Sequence, residues 1–244
     1  MDIERIKKEF TKHYKKYDFN DYAIIRKYYH SIRVMDLSRL IAKYAKFNDN
    51  DAEIAAIVGL LHDYARFEQW KQYKTYSDIN SIDHGDLAVE MLFNNNDIEK
   101  YSLNKENYDE IYDAIKYHNK KDIPENLSDH NKLLCKVVRD ADKLDIFYLF
   151  SINKFLFEED DCEISSKIET DFYNEKSVDI HDVKNKNDAI ILSLAMIFDL
   201  NFQYSFKYLY DANLIWRMYD NIKDKKRFKK YFEYVDEYVK ERMI

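Results

Sequence analysis

The stretch that decides the fold is Ile54-Ala-Ala-Ile-Val-Gly-Leu-Leu-His-Asp-Tyr-Ala-Arg66. Its first eight residues are apolar or glycine, and the preceding pair Asn50 and Glu53 is typical of a capping box at the start of a helix. We therefore predict a buried helix that runs through Leu61. The pair His62-Asp63 follows directly, so two ionisable side chains stand at the end of an apolar helix.

A helical period continues on both sides of this stretch. Apolar residues recur three, four or seven positions apart in five further segments. These segments are 21–47, 81–92 (starting at Ser81 or Asp83), 104–115, 131–152 and 225–243. We find no convincing strand, and the polar segment 158–187 is expected to hold one short helix or a loop. The chain is predicted to be all-α, a single compact multi-helix domain over 1–244. Its core would span about 20–150, with additional C-terminal helices over about 151–244.

Composition excludes several classes of function. The 244 residues include only 2 Gly and 1 Pro, and Gly59 and Gly85 lie far apart, so a dinucleotide fingerprint and a P-loop are both absent. A net charge of −7 without a basic tract argues against binding a nucleic-acid polymer. No run of about 18 apolar residues is present, so no membrane span is expected. Cys135 and Cys162 show no pairing pattern and the charged start lacks an apolar leader, which favours a cytoplasmic protein.

Six ionisable side chains lie on or beside the apolar helical stripes. A buried carboxylate is costly unless it is paired or bound to a metal. One such histidine is readily explained as a hydrogen-bonded core residue, and one such aspartate as an ion-pair partner. Six of them on five helical segments are better explained by convergence on one or two divalent ions of Fe, Mn, Co, Ni or Zn. They are His30, His62, Asp63, His84, His118 and Asp142. The remaining histidines stand among polar residues and are predicted to lie at the surface; they are His13, His130 and His181.

In this order, these residues resemble the HD-domain superfamily of metal-dependent phosphohydrolases. The family pattern is a His, a His-Asp pair and a distant Asp on an all-helical scaffold. Here it is carried by Tyr29-His-Ser-Ile-Arg-Val34, Leu60-Leu-His-Asp-Tyr-Ala-Arg66 and Val138-Arg-Asp-Ala-Asp-Lys143. The resemblance covers roughly residues 20–150 and implies an HD-type fold. It also implies a first metal ion, whose ligands would be His30, His62, Asp63 and Asp142.

Two further histidines resemble the variant of this family that holds two metal ions. His84 stands in Asp83-His-Gly and His118 in Tyr117-His-Asn. The resemblance implies that both would ligate a second ion and that Asp63 would bridge the two.

Two cations are candidates for binding the phosphate of a substrate. Arg66 stands where many family members carry the lysine of a His-Asp-x-Gly-Lys run, although the glycine is Ala65 here. The alternative for Arg66 is an ion pair with a nearby acidic residue. Lys143 is the second candidate, and its alternative is an ion pair with Asp140 or Asp145.

The resemblance implies a hydrolase that acts on a small phosphate ester or nucleotide through a metal-activated water. Asp63 would orient that water, and Arg66 and Lys143 would neutralise phosphate oxygens. Two alternatives stay open: a di-iron oxygenase of the same fold, and a non-catalytic module that binds a nucleotide or a protein. A homodimer is also left open, because one C-terminal apolar stripe could pack on the chain's own core or on a second subunit. That stripe consists of Phe228, Phe232, Val235 and Val239.

Overall fold

A computed structural model describes residues 2–153 and 157–244. These residues form helices and connecting loops and contain no strand, which confirms the all-α prediction. The chain divides into two compact units, one running through Asp142 and the other starting at Lys143. The single-domain boundaries expected from the sequence stay a prediction.

The first unit holds the segments that carry the six ionisable residues. Its helices are α1 (Ile3–Tyr14), α2 (Tyr22–Tyr44), α3 (Asp49–Leu61), α4 (Arg66–Tyr73), α5 (His84–Val89) and α6 (Tyr108–Tyr117). A long helix, α7 (Asp129–Ile152), begins in this unit and continues into the second.

Side-chain caps fix where these helices begin. Asp21 accepts a hydrogen bond from the backbone N–H of Ala23, and Asp83 does the same for Asp86 at the start of α5. The start predicted for α3 was wrong by two residues. Its cap is Asn48, whose side chain accepts from the N–H of Asp51. An Asn at either position can satisfy the free N–H groups of a first turn, so the sequence pattern alone did not separate the two.

Helices α2 and α3 pack together closely at a glycine. Residues 54–61 are all buried, as predicted. A Cβ atom built on Gly59 would lie 2.5 Å from Ser38 Oγ and 2.7 Å from the carbonyl oxygen of Val34. The absence of a side chain at Gly59 thus lets the two backbones approach, one turn from His62 on α3 and from His30 on α2.

His13 is buried, so its predicted surface position was wrong. It lies on the inner face of α1 with Ile6 and Phe10, and only 4% of it is exposed. Its ring stacks on Tyr64 at 3.7 Å between centroids. Its neighbours in sequence are polar, but its spacing of three from Phe10 and seven from Ile6 places it on the apolar face. The other two surface predictions are confirmed, since His130 and His181 are both exposed.

The second unit consists of α8 (Ser166–Tyr173), α9 (Lys186–Ala195), α10 (Gln203–Asp211), α11 (Leu214–Asp220) and α12 (Lys225–Arg242), together with the end of α7. The polar segment 158–187 holds one short α-helix, α8, as expected. The apolar stripe of α12 is fully buried, and α12 packs against α10 and α11. The chain's own core therefore covers this stripe. Among the described residues, no helix combines the length and the apolar character needed to cross a membrane.

Several loops use left-handed backbone at residues other than glycine. In the described part of the chain, six non-glycine residues have φ between 48° and 62°. They are Lys46, Lys74, Asn96, Ser102, Glu175 and Asn213. Lys74, for example, is the cap that ends α4.

Candidate metal centre

Four of the predicted ligands meet at one point in the first unit. His30 projects from α2, His62 caps the end of α3, Asp63 follows it, and Asp142 lies on α7. The Nε2 atom of His30 lies 3.3 Å from Nε2 of His62, 3.3 Å from Oδ2 of Asp63 and 3.1 Å from Oδ1 of Asp142. The two histidines and Asp63 are at most 2% exposed, whereas a quarter of the Asp142 side chain is exposed. Asp142 is therefore the most exposed of these four side chains.

The other two predicted ligands form a second group around the same aspartate. Oδ1 of Asp63 lies 3.4 Å from Nε2 of His84, and that nitrogen lies 2.9 Å from Nε2 of His118. Asp63 thus directs Oδ2 to the first group and Oδ1 to the second. Both groups, His30–His62–Asp63 and Asp63–His84–His118, have ligand atoms close enough together to hold a metal ion.

Hydrogen bonds on the outer side of the rings fix which nitrogen carries the proton. Nδ1 of His62 lies 2.7 Å from the carbonyl oxygen of Gly59, and Nδ1 of His118 lies 2.6 Å from that of Ile115. A carbonyl only accepts, so both Nδ1 atoms must donate a proton. Nδ1 of His84 donates in the same way to Oδ2 of Asp78, at 2.5 Å. In each neutral ring, Nε2 then points a lone pair into the centre, which is the arrangement found around metal-bound histidines.

The close approach of His84 and His118 indicates that a cation fits between their rings. With both Nδ1 atoms protonated, two lone pairs face each other across 2.9 Å. Either a proton or a metal ion would relieve this repulsion. Burial lowers the pKa of both rings, helped by the charge of Arg66 at His84 and by the neighbouring histidines at His118, so protonation is disfavoured. Imidazole nitrogens with a carboxylate oxygen suit first-row divalent ions. The residues present therefore fit such an ion.

The two carboxylates are held in their charged form. Burial alone would raise the pKa of Asp63, but the ammonium of Lys27 and the His62 ring hold it well below its usual range. Hydrogen bonds from His30 and His62 outweigh burial in the same way at Asp142. The pKa of His62 is raised, because the charges of Asp63 and Asp142 outweigh its burial. Without a metal ion, a proton on His62 would partly balance the two carboxylates.

Arg66 lies beside Asp63 and is held there by polar contacts. Its Nε lies 3.2 Å from Oδ1 of Asp63, and its Nη1 lies 2.9 Å from Oδ1 of Asp78 and 2.7 Å from Oε1 of Gln69. The ion-pair alternative considered for Arg66 is thus what the structure has. Its contact with substrate phosphate stays a prediction.

Lys143, the second predicted phosphate contact, lies in the second unit. Its Nζ is 2.7 Å from Oδ2 of Asp199, a residue 56 positions later in the sequence that no local pattern connects to it. Its contact with phosphate also stays a prediction.

Two residues of the centre were missed. Nζ of Lys27 lies 2.6 Å from Oδ2 of Asp63, and Asp78 joins His84 to Arg66. Lys27 stands three residues before His30, so the two share one face of α2, and this spacing was a usable signal. Asp78 lies in a short turn between α4 and α5, where no helical period marks a residue as inward-facing.

Residues 28–146 match the family model described as HD domain. The matched stretch runs from α2 into α7 and includes all six predicted ligands and Arg66, whereas Lys27 lies just before it. Searches of curated proteins and of solved structures found no match to the chain.

Proposed function

We propose, from the premise that this chain belongs to the HD-domain superfamily, that it is a metal-dependent phosphohydrolase acting on a small phosphate ester or nucleotide. The observation that carries the proposal is the shared carboxylate of Asp63, which gives one oxygen to each of two ligand groups. Paired divalent ions are a recurrent device for hydrolysing phosphate esters, because they hold oxygens on both sides of the phosphorus atom.

His30, His62, Asp63 and Asp142 would hold one ion in the first group. His84 and His118, with the second oxygen of Asp63, would hold the other. When bound, such ions supply a water whose pKa is lowered toward neutrality. The backbone carbonyls behind His62 and His118 keep the two rings in the required tautomer and orientation.

Residues of this chain would also position the substrate. Asp142 is the part-exposed member of the set, so a phosphoryl group would enter beside it. Arg66 is only 13% exposed and is anchored by Asp78 and Gln69, which fixes its guanidinium next to Asp63. The contacts described for Arg66 use Nε and Nη1, so the N–H groups of Nη2 would donate to the phosphoryl oxygens.

The first test measures metal content and turnover together. Untagged protein purified without chelator should contain one or two equivalents of a first-row metal by elemental analysis, and it should release phosphate from part of a panel of esters and nucleotides with Mn²⁺. His30→Ala should lose both the first ion and turnover, since its Nε2 contacts three other ligands. His130→Ala is the matched control, because that ring is exposed.

Two results would overturn the hydrolase proposal. One is protein that carries no metal and takes up none when Mn²⁺ is added. The other is a metal-loaded enzyme that consumes O₂, requires iron and releases no phosphate, which would favour the oxygenase alternative. His118→Ala separates one ion from two, because it should remove one equivalent and leave the first group occupied.

A further inference from the structure

Three cations surround a single aromatic ring beside the centre. The cationic groups of Arg26, Lys27 and Arg66 lie 6.0, 5.5 and 5.7 Å from the centroid of the Tyr76 ring. We call these four residues the Tyr76 cluster. The ring is fixed in place, because the hydroxyl of Tyr76 donates to the carbonyl oxygen of Ala23 and its own carbonyl accepts from Arg66.

The three cations differ in how they are neutralised. Arg66 is held by Asp63 and Asp78, whereas the one ion pair that Lys27 forms with a described residue is with Asp63. Arg26 forms no ion pair with any residue that the structure describes. The contact described for its guanidinium is the cation–π contact with the Tyr76 ring. Arg26 is part-buried, so its guanidinium has given up some hydration without gaining an anionic partner. A part-buried, unpaired cation next to other cations favours an anion from outside the chain.

Lys27 would join Arg26 once the centre holds its ions. Its ammonium and a metal ion in the first group would compete for the same oxygen, Oδ2 of Asp63. A divalent ion on that oxygen leaves the ammonium free to bind another anion nearby. The cluster then has two cations that the ligand set does not neutralise.

We propose that Arg26 and Lys27, seated against Tyr76, form a subsite for a second phosphoryl group of the substrate. The metal centre and Arg66 would take the phosphoryl group that reacts, and the Tyr76 cluster would take the group joined to it. Preferred substrates would therefore carry at least two phosphoryl groups in series. This inference depends on the proposed function for the identity of the first anion and adds the substrate class. Arg26 and Lys27 both precede the stretch that matches the family model.

Binding can be measured without turnover, because Trp70 reports on the cluster. Its ring lies 4.9 Å from that of Tyr76, and the only other tryptophan, Trp216, can be replaced by phenylalanine. The probes are methylenebisphosphonate and methylphosphonate, added to Mn²⁺-loaded protein at fixed free Mn²⁺ and followed by Trp70 fluorescence and titration calorimetry. We expect the bisphosphonate to bind at least tenfold more tightly than the monophosphonate.

Arg26→Gln should lower the affinity for the bisphosphonate by about tenfold, the effect of one charge-assisted hydrogen bond, and should change monophosphonate binding less than twofold. Arg26→Lys keeps the charge and should restore most of the discrimination. Lys43→Gln is the matched control, because this lysine is exposed on the last turn of the same helix.

The outcomes separate this inference from the proposed function. Equal effects of Arg26→Gln on both probes, no effect on either, or no binding of either probe would overturn the subsite. If discrimination depends on Arg26 while the enzyme hydrolyses nothing, the subsite stands and the hydrolase proposal fails. If the enzyme hydrolyses phosphate esters but does not discriminate between the probes, the hydrolase proposal stands and the subsite fails.

Discussion

Asp63 is the residue on which the centre depends most. Its carboxylate is contacted by three histidines and by two cations, Lys27 and Arg66. Lys27, His62 and His30 favour the ionised form and outweigh burial, which explains why so deeply buried a carboxylate keeps its charge. The same crowding means that neither oxygen can move toward one group without loosening its contacts in the other.

Asp78 positions His84, and a substitution that replaces one oxygen of its carboxylate can test this role. Asp78→Asn keeps the shape of the side chain but removes the charge that accepts from Nδ1 of His84 at 2.5 Å. We expect metal affinity of the second group to fall by about tenfold or more, as is usual when the partner of a metal-bound histidine is replaced. The measurement is a competition titration with a chelating dye. Asp86→Asn is the control, since about half of that side chain is exposed; an equal loss there would contradict the role given to Asp78.

His13 should make the protein less stable in acid. Burial, as the largest effect, lowers the pKa of its ring from 6.5 to about 4. The unfolded chain therefore takes up a proton below pH 6.5 that the folded chain takes up only near pH 4. Stability is lost as the pH falls through this window and is unaffected above it. The full effect is about 3 kcal/mol, since each pKa unit corresponds to about 1.4 kcal/mol.

Urea unfolding with chelator present, at pH 7 and at pH 4.5, would measure this effect. His13→Phe should reduce the loss of stability between the two pH values, whereas His181→Phe, at an exposed site, should not. Identical pH dependence in wild type and His13→Phe would show that the buried ring is not the group responsible.

The residues of the centre differ in how far sequence could predict them. All six predicted ligands are brought together in the structure because each stands at a helical offset from apolar residues or directly follows a buried apolar helix, and either position fixes the direction of the side chain. Lys27 also stands at a helical offset from His30, but its long, charged side chain is of a type that usually reaches solvent. Asp78 lies in a turn, where neither period nor composition fixes direction. Their partners across the fold could be found only from coordinates.

At the scale of the elements, the close packing of α2 on α3 sets the distance between His30 and His62. Gly59→Ala would place a methyl group 2.7 Å from the carbonyl oxygen of Val34, which belongs to a helix backbone and cannot rotate away. We expect a loss of about 1–3 kcal/mol in the free energy of unfolding, together with weaker metal binding, because the two helices must separate.

Chemical denaturation and metal titration of the same sample would check both effects. Asp36→Ala, on the exposed side of α2, should change stability by less than about 0.5 kcal/mol. Retention of wild-type stability in Gly59→Ala would contradict the close approach of the two helices.

Also at the scale of the elements, the long helices were predicted more accurately than the start of α3 and the short turns. The predicted segment 131–152 corresponds to α7 and 225–243 to α12, within two residues at each end. The start of α3 differed because Asn48, Asp49, Asn50 and Asp51 all favour a helix start, and the structure selects one of them. The short turns between α4 and α6 had no apolar period to reveal them.

For the whole molecule, metal binding should appear as thermal stability. The ligands come from widely separated segments, so an ion binds the folded chain and not the unfolded one. Free metal at about 100 times its dissociation constant adds about 2.7 kcal/mol, or about 5–10 °C in Tm for a chain of this size. Differential scanning fluorimetry with Mn²⁺ and with chelator would measure the shift. His30→Ala should show a much smaller shift than His130→Ala; equal shifts would mean that the ion binds elsewhere.

The six left-handed residues have a consequence for engineering this protein. A side chain in that region of backbone space costs about 1–2 kcal/mol, and glycine avoids the cost. The chain carries its 2 glycines elsewhere, at Gly59 and Gly85. Lys46 and Lys74 are two such exposed loop positions, so replacing either with glycine is expected to raise thermal stability without altering the core or the centre.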